Sequence, residues 1–171
     1  MAPIKGSTFI LRSWRLTDAP SLQHHADNAN IYRFLFDRFP NPYTMADAER
    51  WVLAHQSKAV ITNFAIVIND SAVGAIDFKQ GDDIYRKNAT LGYWLGEEYW
   101  GKGIITEAVK LFIPYAFQNF NITRIQATVN GNNQASMRVL EKAGFTKEGI
   151  MRDAIIKGGE VMDEHLYAIL K

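Results

Sequence analysis

A chain of 171 residues, 47% of them hydrophobic, is long enough for one domain burying roughly 70% of its unfolded surface. A net charge of +1 with no basic run argues against nucleic-acid binding, and the absence of cysteine excludes disulfides, thiolate zinc sites and a cysteine acyl-enzyme. No charged segment precedes an apolar run at the N-terminus, and no stretch of about 18 apolar residues occurs, so a soluble cytoplasmic protein without a membrane partner is expected.

Thr8 to Ser13 reads as a short strand, and Thr17 or Asp18 is expected to cap a helix carrying His24 and His25. Adjacent helix positions point to different faces, so the two histidines are not expected to share a metal, and no metal site is predicted elsewhere. Asn28 to Pro42 carries Phe34, Phe36 and Phe39, either as core or as the wall of an acceptor pocket. Thr44 followed by Asp47 is a variant capping box opening a helix through Trp51, Val52 and His55. Asn63 to Ile68 and Ala72 to Phe78 are predicted strands of a hairpin turning at Asn69-Asp70-Ser71, and Gln80 to Lys87 is a polar loop.

Leu91 to Val109 organises the chain. A strand through Leu91, Tyr93 and Leu95 ends at Gly101 and Gly103. From Ile104 the apolar residues Ile105, Ala108, Val109, Phe112, Ala116 and Phe117 recur at helical spacing. The first turn of such a helix offers unpaired N–H groups and a positive dipole end, and two glycines admit a bulky anion: a phosphate seat. Gly96 to Gly103 fits the nucleoside-triphosphate loop G-x-x-x-x-G-K-[ST] until Gly103 stands where a magnesium-holding hydroxyl is needed. The dinucleotide fingerprint fails at Thr106, where a third glycine belongs. Arg124 to Val129 is a further strand, Gln134 to Lys142 a helix closed by Gly144, and Phe145 to Lys157 with Glu160 to Leu170 a hairpin turning at Gly158-Gly159.

Trp100-Gly101-Lys102-Gly103-Ile104-Ile105 resembles the Q/R-x-x-G-x-G/A pyrophosphate loop of the GNAT acyl-CoA N-acyltransferases, with Trp100 and Ile105 as departures. The longer string GYWLGEEYWGKGIITEA, together with Pro42-Tyr43-Thr44, Asn133, Ser136 and Gly144-Phe145, is similar to the RimJ/RimL-like branch. The resemblance covers nearly the whole chain. It implies an α/β (α+β) GNAT fold over residues 1–171, a mixed, mostly antiparallel sheet with helices on both faces. It implies an acetyl-CoA-dependent N-acetyltransferase acting on a protein N-terminal or small-molecule amine by direct attack in a ternary complex. A CoA-binding regulatory module without turnover is the alternative, and a homodimer is left open.

By the same resemblance, Trp94, Leu95, Trp100, Gly101, Lys102, Gly103, Ile104, Ile105 and Asn133 hold the cofactor. Backbone N–H groups near Trp94-Leu95 would serve the oxyanion, and Ser136 would protonate the leaving thiolate, unless it only serves the helix start. The tyrosine acid used by other members is absent, since Leu140 stands at that position. Asp77, Tyr93, Glu97, Asp163 and His165 are the candidate bases, with Asp163, His165 and Tyr167 on one strand face. Asp37 against Arg33 and Arg38 in an otherwise aromatic and amide-rich acceptor segment predicts a singly charged acceptor over a polyamine. Convergence of Asp82, Asp83 and Glu97 on that cleft would overturn this.

Overall fold

The computed structural model describes residues 2–56 and 61–171. The chain organises into two compact units, one formed by Met1–Asp77 and Tyr93–Ala108, the other by Phe78–Gly92 and Val109–Lys171.

In the first unit, β1 (Ile4–Lys5), β2 (Ile10–Arg12), β3 (Asn63–Ile68) and β4 (Ser71–Gln80, whose last residues belong to the second unit) run antiparallel in chain order. β3 reads NFAIVI and is buried on both faces apart from its last residue, as its β-branched and aromatic content requires. Asn69 and Asp70 turn the β3–β4 hairpin with φ of +48° and +61°, the left-handed values a two-residue hairpin turn needs. Helices α1 (Ala19–Ala26), α2 (Ala29–Tyr32) and α3 (Met45–His55) follow β2. The short β1 and α2 are additions to the predicted order.

Asp18 stands at the N-cap of α1, but its side chain makes no capping bond to the helix. Its carboxylate receives both terminal nitrogens of Arg12 at 2.7 Å and the Arg15 N–H at 2.8 Å, closing the single 3-10 turn Leu16–Asp18 that precedes the helix. Arg12 and Asp18 are both buried, so removing one partner would strand a charge at a cost of about 3–5 kcal/mol. The Thr44–Asp47 capping box forms as predicted. Leu22, Ala26, Tyr43, Ala48, Val52, Ala65, Val67 and Ala75 make the core of this unit, joined by Trp14, whose indole N–H donates to Asn63 Oδ1 at 2.7 Å.

In the second unit, the beginning of β5 (Asn88–Leu95) pairs parallel with β6 (Arg124–Asn130), β6 pairs antiparallel with β8 (Glu160–Leu170), and β8 with β7 (Thr146–Lys157). The class is therefore the predicted one, mixed and mostly antiparallel. Helix α4 (Ile104–Asn119) begins in the first unit and continues through Pro114 in the second. Helix α5 (Gln134–Lys142) has the predicted bounds, with Gly144 at φ +93° after its end. Gly158 and Gly159, at φ +59° and +85°, turn the terminal hairpin. Phe78, Phe112, Tyr115 and Phe120 form a ring cluster in the core of this unit.

Candidate active site

The end of β5 is held tightly against β4. A Cβ on Gly74 would stand 2.5 Å from the Trp94 carbonyl, so only glycine lets the strands approach this far, and the Gly96 N–H donates to Val73 O at 2.7 Å. A 3-10 turn, Glu97–Tyr99, leads to Trp100, whose indole N–H donates to Leu95 O at 2.7 Å. The tryptophan that departs from the family motif thus closes the segment between strand and loop on itself. Gly101 and Gly103 follow at φ +74° and +77°, conformations that disfavour any residue with a Cβ. A Cβ at either position would meet nothing within 4 Å, so no packing of the protein itself requires glycine there. What remains is an open cradle at the start of α4. The first helical bond runs from Glu107 N–H to Gly103 O, leaving the N–H groups of Ile104, Ile105 and Thr106 without intrahelical acceptors. Ile104 is buried and Ile105 half-buried, which orients the turn, while exposed Lys102 lies with Nζ 5.4 Å from the Tyr99 ring centre. This arrangement suits an anionic pyrophosphate.

Around Asp77 the same unit builds a second environment. Asp77 pairs directly with Asn63 across β3 and β4, on the face that carries Ala65 and Ala75. Burial pushes its carboxyl up to about 6, opposed by the nearby Arg38 guanidinium. Phe39 packs between this face and the strand end, 4.9 Å from the Tyr43 ring and 6.1 Å from Trp94. Tyr43 is thus core with half-buried Phe39 packed against it, whereas Phe36 is exposed with Arg38 over its ring, and Arg33 lies over Phe34. Tyr43 is held by its N–H on Asp27 and its carbonyl on Gln23, and burial raises its hydroxyl to about 12, which removes it from proton transfer near neutrality.

Of the other predicted bases, Glu97 accepts the side-chain amides of Asn28 (2.7 Å) and Asn30 (2.9 Å), and these bonds hold its carboxyl below the ordinary range. It fastens the segment after α1 to the turn after β5, a link between residues too far apart in sequence for any pattern to disclose. In the second unit Asp163 Oδ1 accepts the Asp153 N–H, while the Nδ1 of His165 is enclosed without a hydrogen-bond partner among the described residues. Tyr167 is buried with its hydroxyl on Glu141. Tyr93 lies half-buried in β5.

Asn133, rather than Ser136, caps α5: its Oδ1 accepts the Ser136 N–H at 3.1 Å. Ser136 thus takes part in the helix start through its backbone N–H. His24 and His25 also depart from expectation. Their rings stand 4.9 Å apart, and a ligand atom of each lies within 4.8 Å of one on Glu98. Divergent Cα–Cβ directions did not prevent convergence, because imidazoles are long enough to turn back toward a common point. Among the described residues no helix is long and apolar enough to cross a membrane.

The family model of the acetyltransferase (GNAT) domain matches residues 8–146. Over 174 residues the chain is 35% identical to a Bacillus subtilis protein described as probable N-acetyltransferase YjcK, covering 98% of this chain and 96% of that one. It is 31% identical over 117 residues to the ribosomal-protein-serine acetyltransferase of Escherichia coli, covering 68% and 64% of the two chains. The solved structure of RimL, a ribosomal L7/L12 alpha-N-protein acetyltransferase in complex with coenzyme A, superposes with a TM-score of 0.84 at 23% identity over 99% of this chain and 98% of that one. With a family model spanning most of its length and a relative of this identity along its whole length, the chain belongs to the GNAT acetyltransferases and is an N-acetyltransferase.

Proposed function

We propose that this N-acetyltransferase takes acetyl-CoA as donor, with the pyrophosphate on the turn Trp100 to Ile105, and that it acetylates a peptide α-amine. The observation that carries the donor assignment is the open cradle at Gly101 and Gly103, where glycine is demanded by backbone conformation and by nothing packed against it. The peptide acceptor follows the relatives described as acting on ribosomal proteins.

The donor supplies a thioester carbon for attack by a neutral amine. An α-amine with a pKa near 8 is only about 10% neutral at pH 7, so a base is useful. Asp77 is the group suited to that task. Its carboxyl titrates at about 6, which leaves roughly 90% of it ionised at pH 7 while keeping it basic enough to accept a proton. Glu97 is less suited, because its two amide donors favour the charged form and weaken it as a base. Backbone N–H groups of the Trp94-Leu95 region meet the charge developing on the acetyl oxygen, and the Trp100 bond to Leu95 O fixes the peptide orientation there. Ser136 hydrogen-bonds the leaving thiolate, a weak base needing little acid help.

Release of free thiol from acetyl-CoA, measured with peptide and small-amine acceptors, tests the reading. Turnover with a peptide α-amine that follows Asp77 ionisation supports it, and acetyl transfer unaffected by Asp77→Asn rules out this base.

A further inference from the structure

A cavity of about 380 Å³ in the first unit is lined by His24, His25, Asn28, Glu97 and Glu98, and acetyl transfer as described above uses neither histidine nor Glu98. We propose that His24, His25 and Glu98 form a binding site for a divalent transition-metal ion of the zinc type.

The Nδ1 of His25 lies 3.3 Å from Glu98 Oε1. Bonds of about 2.0–2.2 Å from zinc to nitrogen and oxygen place two ligands of a tetrahedral ion roughly 3.3–3.6 Å apart, so this pair already has the required spacing. The third ligand comes from His24, whose ring is exposed and free to close the remaining gap by rotation, all three ligand atoms lying within 4.8 Å of one another. Two imidazoles and one carboxylate form a donor set suited to such ions, with the fourth position open to water. His25 is fixed for the role by burial in α1, by the Tyr99 ring 5.6 Å away and by Gly96, where a Cβ would come within 2.9 Å of Nδ1. Glu97 lines the same cavity but is engaged by Asn28 and Asn30, which leaves Glu98 as the carboxylate ligand. A simple His25–Glu98 ion pair would make no use of His24, and that difference separates the two accounts.

Calorimetric titration of ZnCl₂ into the full, untagged, chelator-treated chain is the test. The expected result is one saturable equivalent with a micromolar or tighter Kd. His24→Ala and Glu98→Gln, both at exposed positions and checked by circular dichroism, should each weaken it by at least about tenfold, while His55→Ala should not. Cobalt(II) added to the unaltered protein should give visible absorption that zinc abolishes, a reading independent of how the variants fold. Absence of a saturable equivalent, absence of the cobalt signal, or His24→Ala binding zinc as tightly as the unaltered chain overturns the proposal.

Discussion

Replacing Gly103 by valine puts the cofactor seat to its sharpest test. At φ +77° a residue with a Cβ carries about 1–2 kcal/mol of left-handed strain, and a β-branched one sits at the upper end. For a chain of this length that corresponds to a fall in Tm of roughly 2–8 °C. No steric clash adds to it, because the new Cβ would meet nothing within 4 Å. The same open space is where phosphate oxygens are proposed to sit. If two charge-assisted bonds from the helix start are lost, at about 1.5–3 kcal/mol each, affinity for coenzyme A falls by at least about 100-fold. Gly158→Val is the matched control: it has a positive φ of +59° and an equally open surrounding, but lies in the β7–β8 turn. Calorimetry with coenzyme A should show the loss in the first variant and not in the second, with comparable small drops in Tm for both. Wild-type affinity in folded Gly103→Val, or an equal loss in Gly158→Val, refutes the seat.

Asp77→Asn should lower kcat/KM about 10²–10⁴-fold and remove the limb of the pH profile near 6. A raised carboxyl pKa favours the protonated folded state, so the stability contribution of Asp77 is full below about 4 and lost as pH rises through 6. Thermal melts should therefore show the wild type losing stability relative to Asp77→Asn between those values, and parallel melting curves would count against the shift. Asn133→Ala should lower stability by about 1 kcal/mol through loss of the α5 cap. Ser136→Ala keeps that cap and should instead reduce kcat at nearly constant acetyl-CoA KM, so turnover unchanged per folded molecule would end its proposed role. With Arg33 and Arg38 stacked on the acceptor segment and Glu97 engaged by amides, a peptide α-amine or monoamine should exceed spermidine in kcat/KM. Competition at low ionic strength that favours spermidine would contradict this.

The element order was legible because each signal is local. The Thr44–Asp47 box, the apolar spacing after Gly103, the Asn69-Asp70 and Gly158-Gly159 turns and the helix Gln134–Lys142 all depend on residues a few positions apart, and all stand where the pattern put them. The glycine turn was legible for the same reason, since the spacing of Gly101 and Gly103 and the helix after them stand where the pattern put them, and on that turn the anion seat is proposed. Roles that depend on distant partners were not. Asp18 holds the N-cap position of α1 without a side-chain capping bond, because its carboxylate is taken by buried Arg12 and by the Arg15 N–H. The side-chain cap of α5 comes from Asn133, whose Oδ1 accepts the Ser136 N–H, a pairing that sequence spacing alone does not rank. Five acidic, tyrosine or histidine side chains were equal as bases in the sequence. Burial lifts Asp77 toward neutrality while hydrogen bonds push Glu97 the other way, and both effects come from groups the fold brings in from remote positions. Electrostatic environment is a property of three-dimensional surroundings, so the chemistry of a carboxyl group becomes definite only after the chain has folded around it.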